Sequence, residues 1–305
     1  MLGPMTSPRA LSLQAFFTLL LIALMMASNH IAARLAFNSG MDVATGVATR
    51  SLVTASLVAL LVVLARVPWR FNRQQGRGLL LVGLMIGVQS QCLYAAVARL
   101  PVALALLAFN TYPLWTALWD KLIYKRTPQR SVLLAMPLIL LGLAIALDVL
   151  GAASGLGAQA QWASIGEGVG FALAAACSFG LALVCTQHET AGMDGRVRTL
   201  FSLLLAGSVA LAVIGLQGGP HWPQTALGWQ GLGLLTFLYG TAFTIMFTVL
   251  PKLGVAANSA IMNVEPVFAL ALGWAVLDQH VAWVQVGGAV LVVAVVMGLG
   301  LRKSG

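Results

Sequence analysis

LYAAVARLPVALALLAFNTYPLWTAL, residues 93–118, and LPKLGVAANSAIMNVEPVFALALGW, residues 250–274, decide the fold between them. Shifted by 153 residues they align without a gap: Leu100, Val102, Ala103, Asn110 and Pro113 fall on Leu253, Val255, Ala256, Asn263 and Pro266, with Arg99 on Lys252. Each stretch is apolar over roughly the 20 residues a helix needs to cross a hydrocarbon core of about 30 Å. Asn and Pro are both costly in such a helix. A matched Asn-x-x-Pro in two of them therefore points to an internal repeat, not to the accidental likeness of two apolar runs.

The rest of the chain has the same character. Of 305 residues, 60% are hydrophobic and 8% charged, and the mean hydropathy is +0.93. A soluble domain carries roughly 45–50% apolar and about 25% charged residues, so this composition cannot cover a water-facing surface. Disorder is excluded too, since it needs high charge and little hydrophobicity. The net charge of +9 does not indicate nucleic-acid binding, because the basic residues sit in short connections and form no stripe. Cys92, Cys177 and Cys185 all lie in apolar runs, which argues against a disulfide framework. The four histidines are too scattered in sequence to suggest a metal site.

Ten apolar stretches are predicted to cross a membrane, near residues 13–35, 44–65, 79–98, 102–121, 131–149, 163–186, 198–216, 228–250, 256–277 and 283–301. Period-two alternation is absent and the runs are too long for barrel strands, so an all-α integral membrane fold is expected. The first stretch exceeds the h-region of a signal peptide and is expected to stay as the first crossing. Positive charge sets the orientation. With both termini cytoplasmic, Arg9, Arg66, Arg70, Arg73, Arg77, Lys121, Lys125, Arg126, Arg130, Arg196, Arg198, Lys252, Arg302 and Lys303 face inward, 14 of the 17 basic residues; only Arg34, Arg50 and Arg99 do not. Each repeat, residues 1–150 and 151–305, spans five crossings. Five is odd, so the second copy enters from the opposite side, an inverted-topology repeat of the kind found in many secondary transporters.

The two opening stretches resemble the signature helix pairs of EamA-type transporters of the drug/metabolite transporter superfamily. MMASNHIAARLAF (residues 25–37) is similar to that family's first helix, and TRSLVTASLVALL (residues 49–61) to its second. The resemblance covers about residues 15–300. It implies ten helices in two inverted halves, a central cavity lined mainly by helices 1, 3, 4, 6, 8 and 9, and small organic substrates, often exported. Family members often carry an acid after helix 4; here Lys125 stands there, while the second copy has Asp278.

No phosphate-binding loop of the G-x-x-x-x-G-K-[ST] kind is present, so transport is expected to be passive or coupled to a proton or an exchanged solute. No enzyme signature and no cofactor motif appears. Polar residues at membrane depth are functional candidates by default. Those on the cavity helices are Asn29, His30, Gln91, Tyr94, Asn110, Tyr112, Trp115, Ser178, Tyr239, Asn263 and Glu265. Glu265 is the one carboxylate near the centre of an apolar run. His30 lies toward the outer end, where it is either wet or a ligand. Arg50, about two turns inside helix 2, either snorkels outward or attracts an anion. Pro113 and Pro266 are expected to kink helices 4 and 9 at matched places, either as hinges or as fixed kinks that shape the cavity. The glycine pairs Gly83–Gly87 and Gly166–Gly170 read as close-packing devices. The predicted function is secondary transport, outward, of a small organic solute such as an amino acid, through a multi-pass protein of a cell inner membrane, as monomer or homodimer. The alternative class is a non-transporting receptor or binding subunit, which would not need inverted symmetry.

Overall fold

The computed structural model describes residues 12–69, 71–127, 130–249 and 260–302, and all elements among them are helical. The predicted inward charges Arg9, Arg70, Lys252 and Lys303, and the repeat positions Leu253, Val255 and Ala256, lie outside the described residues. In chain order the helices are α1 (Leu13–Asn38), α2 (Val43–Leu64), α3 (Arg73–Arg99), α4 (Val102–Phe109), α5 (Tyr112–Tyr124), α6 (Arg130–Ala146), α7 (Ala158–His188), α8 (Gly195–Leu216), α9 (Ala226–Thr248), a 3-10 turn (Ala260–Val264), α10 (Glu265–Leu277) and α11 (Trp283–Arg302). Seven spans are long and apolar enough to cross a membrane, α4 and α5 counting as one; α6, α10 and α11 give shorter apolar helices.

Short polar residues start these helices by capping their unpaired N–H groups. Asp42 accepts from the amide of Thr45 at 2.9 Å, Asp194 from that of Arg196 at 2.8 Å, and Asn72 forms a reciprocal capping box with Gln75. Large apolar side chains point outward along the bundle: Leu134 is 73% exposed, Leu216 88% and Trp283 89%. Such a surface is stable only against lipid or a partner.

α4 occupies the middle. Every residue from Val102 to Ala108 is buried, as expected for a helix apolar on all sides. The most extensive packing runs between the two halves of the sequence: α3 against α7, α1 against α9, α2 against α8, and α6 against α11. The halves are thus interleaved, not two bodies side by side.

Glycines allow the closest of these approaches. At Gly83 an added Cβ would lie 2.8 Å from the Leu205 Cβ, and at Gly87 2.9 Å from Val209, as the small-residue spacing predicts for this pair. The Gly166–Gly170 reading is corrected. Gly170 has open space beside it and Gly166 meets only Trp162 at 3.5 Å, whereas Gly168, between them, would meet Leu100 at 2.6 Å. The contact face of α7 is turned from the one the spacing suggested.

In the fourth stretch, and at the start of the described part of the ninth, the α-helical pattern is interrupted just before the proline. α4 ends at Phe109 and α5 begins at Tyr112, with Asn110 and Thr111 between them. α10 begins at Glu265, after the 3-10 turn. Pro113 and Pro266 each stand in the first turn of the new helix, where the missing N–H costs nothing because that donor has no intrahelical partner anyway. Each interruption lies beside the proline, where the helices were expected to kink. Lys125 and Asp278 then end α5 and α10 in the same left-handed conformation, φ 58° and 53°. This matched place needs an αL cap, which Lys and Asp both supply, so the absence of an acid at Lys125 leaves the backbone device intact.

Candidate functional site

The two breaks open onto a polar cluster in an otherwise apolar bundle. α5 and α10 present their first residues there. Glu265 is the first residue of α10. Its Oε1 lies 3.2 Å from His30 Nε2 on α1. His30 is buried, with Nδ1 lacking a hydrogen-bond partner; it is therefore not the solvated outer residue that was one reading of the sequence. Tyr112, the first residue of α5, donates its hydroxyl hydrogen to Asn263 Oδ1 at 3.3 Å. Its ring packs edge-on to Phe179 of α7 and tilted on Phe109.

The tilted rings of His30 and Tyr94, with centroids 5.1 Å apart, join this pair to a second group. Tyr94 on α3 is 1% exposed and donates to Asn29 Oδ1 at 3.0 Å; Asn29 is wholly buried. The Tyr94 ring also lies under the guanidinium of Arg50, whose central carbon is 4.4 Å from its centroid and 4.1 Å from that of Tyr239 on α9. Cation–π contacts of this kind contribute about 2 kcal/mol when desolvated. Arg50 is 3% exposed and does not snorkel outward.

Of the predicted residues, the structure brings together Asn29, His30, Tyr94, Tyr112, Tyr239, Asn263 and Glu265. Asn110 is buried at the α4–α5 break with Nδ2 unpartnered, and Gln91 has a buried, unpartnered Nε2 on α3. Trp115 instead sits where α5 meets α7: its Cβ is 2.8 Å from where a Gly180 side chain would begin. Ser178 is half-buried on α7 and makes none of the side-chain bonds described above. Arg50 was outside the predicted cavity set, because helix 2 was not expected to line the cavity. A guanidinium two turns deep in an apolar helix was the signal for it.

Asn29, His30, Arg50 and Tyr94 of this centre are buried, while Tyr112, Tyr239, Asn263 and Glu265 are half-buried. A groove of about 660 Å³ does run between α2 and α9, but it is lined by Thr49, Val53, Leu57, Leu232, Phe237 and Thr244 and by none of the charged residues. Its exposed Val53, Leu57 and Phe237 turn it toward the bilayer side of the bundle.

A bundle of apolar helices packed around two interrupted ones, with the His30–Glu265 and Tyr112–Asn263 pairs at the interruptions, defines a multi-pass membrane protein of transporter type. The EamA-like transporter family matches the chain twice, over residues 13–147 and 166–301, and the protein belongs to that family. The threonine/homoserine exporter RhtA of Salmonella typhimurium, from strains SL1344 and LT2, is 24% identical over 243 residues, covering 76% of this chain and 74% of the exporter. A crystal structure of another protein, 18% identical, superposes with a TM-score of 0.57 over 97% of this chain and 100% of its own, a likeness of fold.

Proposed function

We propose that the protein is a secondary transporter that exports an amino acid or related small metabolite across a cell inner membrane by alternating access. The polar centre at two matched helix interruptions carries this reading, because interrupted helices and unpartnered polar groups at membrane depth are the means by which transporters hold a polar solute. The export direction and the amino-acid class rest on the likeness to the threonine/homoserine exporter.

The proposed architecture is ten crossings, with both termini cytoplasmic, in two inverted halves meeting at that centre. Pairings that repeat at the same 153-residue offset support it. The caps Asn72 and Thr225 start α3 and α9; Tyr112 and Glu265 start α5 and α10; Lys125 and Asp278 end them. Gly78 would crowd Glu189 after α7, and its counterpart Gly231 would crowd Ala36 of α1, the counterpart of Glu189. α1 packs on α9 as α7 packs on α3, which is the exchange a two-fold relation requires. Glu265 is the proposed proton carrier, with His30 as its partner, and Pro113 and Pro266 are the proposed hinges.

The test is counterflow of radiolabelled L-threonine and L-homoserine in proteoliposomes with the purified protein. Saturable flux above that of protein-free vesicles is expected. Binding without flux, measured on the same preparation, favours a receptor instead.

A further inference from the structure

Arg50 is a buried cation with no counter-charge among the described residues. Its Nε makes no hydrogen bond, and among the described residues it joins no ion pair. Guanidinium stays protonated in proteins, so it cannot escape burial by neutralising. The two tyrosine rings that flank it contribute π contacts, but neither ring face satisfies an N–H. An uncompensated buried charge is a strongly unfavourable arrangement. The carboxylates nearest in role do not correct it: Glu265 is engaged with His30, and Asp42 is held by Thr45 and by the amide of His221.

We infer that Arg50 is the carboxylate-binding residue of the transported solute, so that the substrate class is a small organic acid or amino acid entering with its carboxylate toward α2. This rests on the proposed transport function and deepens it. The missing partner is an anion, and a guanidinium fork matches a carboxylate with two parallel N–H···O bonds. Tyr94 and Tyr239 hold the cation in place between their rings and leave Nε without a partner. Through Tyr94 the fork adjoins Asn29, which the tyrosine hydroxyl bonds, and His30, which pairs with Glu265. A zwitterion with its carboxylate on Arg50 has its ammonium end free to turn toward that glutamate.

The experiment titrates the purified protein with acid–amide pairs and reads the thermal midpoint, since a ligand of the folded state raises it. The probes are L-threonine against L-threonine amide and succinate against succinamide. At least one acid should stabilise the protein with an apparent affinity about tenfold or more above its amide, the difference expected for a charge-assisted bidentate bond. Arg50→Gln should abolish that preference. Should Arg50→Gln fail to fold, Arg50→Lys keeps the charge without the fork and should reduce the preference several-fold. Acid and amide binding alike, no acid binding at all, or an undiminished preference in the folded variants overturns the inference. Counterflow is read separately: acid preference without flux keeps Arg50 as a carboxylate site and rejects the transport reading, and flux without acid preference does the reverse.

Discussion

His30 Nε2 and Glu265 Oε1 meet at 3.2 Å, joining the middle of α1 to the first residue of α10. One partner belongs to a continuous helix and the other to a helix that starts inside the bundle, so a shift of α10 against α1 changes the pair directly. Glu265→Gln keeps the size of the side chain and its place at the helix start but cannot titrate. Under proton coupling, this variant should still bind substrate while its flux loses dependence on pH. Flux of the variant measured between pH 5.5 and 8 that follows the parent's profile removes Glu265 as proton carrier.

Tyr94 carries a separable load. Its hydroxyl is the donor to a wholly buried Asn29 Oδ1 at 3.0 Å, while its ring supports Arg50. Tyr94→Phe keeps the ring and removes the donor, leaving a buried acceptor unsatisfied at a cost of about 1–3 kcal/mol. The expected result is a thermal midpoint several degrees lower with the acid-over-amide preference retained. An unchanged midpoint means that Asn29 finds another donor.

These two groups show how far the sequence could be read. Asn29, His30, Tyr94 and Glu265 were legible one by one, because a polar residue in an apolar run is conspicuous. Their partnerships were not, since Tyr94 and Asn29 are 65 residues apart and only the packing of α1 against α3 decides that they meet. The helix break at Asn110–Thr111 was hidden for a different reason. Hydropathy averaged over a crossing is blind to one non-helical turn, and Pro113 reads equally as a kink within a helix or as the first turn of a new one. Gly168 was missed in favour of Gly166 and Gly170 because spacing gives the small-residue period but not the rotation of the helix about its axis.

The α3–α8 seam should be intolerant of volume. Gly83 faces Leu205, and an added Cβ would come within 2.8 Å of the Leu205 Cβ, which a change of rotamer cannot relieve. Gly83→Val should destabilise by about 1–3 kcal/mol through overpacking, read as a fall of several degrees in the thermal midpoint. Leu205→Ala in the same chain should restore part of it. If the double variant is no better than the single one, the two residues are not the point of contact.

The last prediction concerns the end of the bundle where α3, α5 and α7 meet, the cytoplasmic end in the proposed topology. Glu189, just past α7, accepts the Tyr124 hydroxyl hydrogen through Oε1 and an amide hydrogen of Gln74 through Oε2 at 3.1 Å. Gly78 leaves room for it, since a Cβ there would sit 2.6 Å from the Glu189 Cβ. Tyr124 in turn stacks on His188, with ring centroids 3.8 Å apart, and His188 lies 3.1 Å from Asp120. The hydrogen bond from Tyr124, then that from Gln74, hold the Glu189 carboxyl below the usual carboxylate range against the opposing pull of burial. A depressed value means that the charged, bonded form is present above the ordinary glutamate range and is lost only as pH falls through the lowered value. The clasp should therefore survive throughout the range from about pH 5 upward. Glu189→Gln removes the charge at every pH and weakens the bond to Tyr124, by about 1 kcal/mol at a partly wet site. Cys185, one turn earlier on α7 and 2% exposed, is the built-in reporter. With Cys92 and Cys177 replaced by Ala, a membrane-impermeant thiol reagent added from the cytoplasmic side should label Cys185 about fivefold faster in Glu189→Gln than in the parent, with no difference when added from outside. Equal rates from the inside show that Glu189 does not hold this end shut, and faster labelling from the outside alone places the clasp at the other face of the membrane.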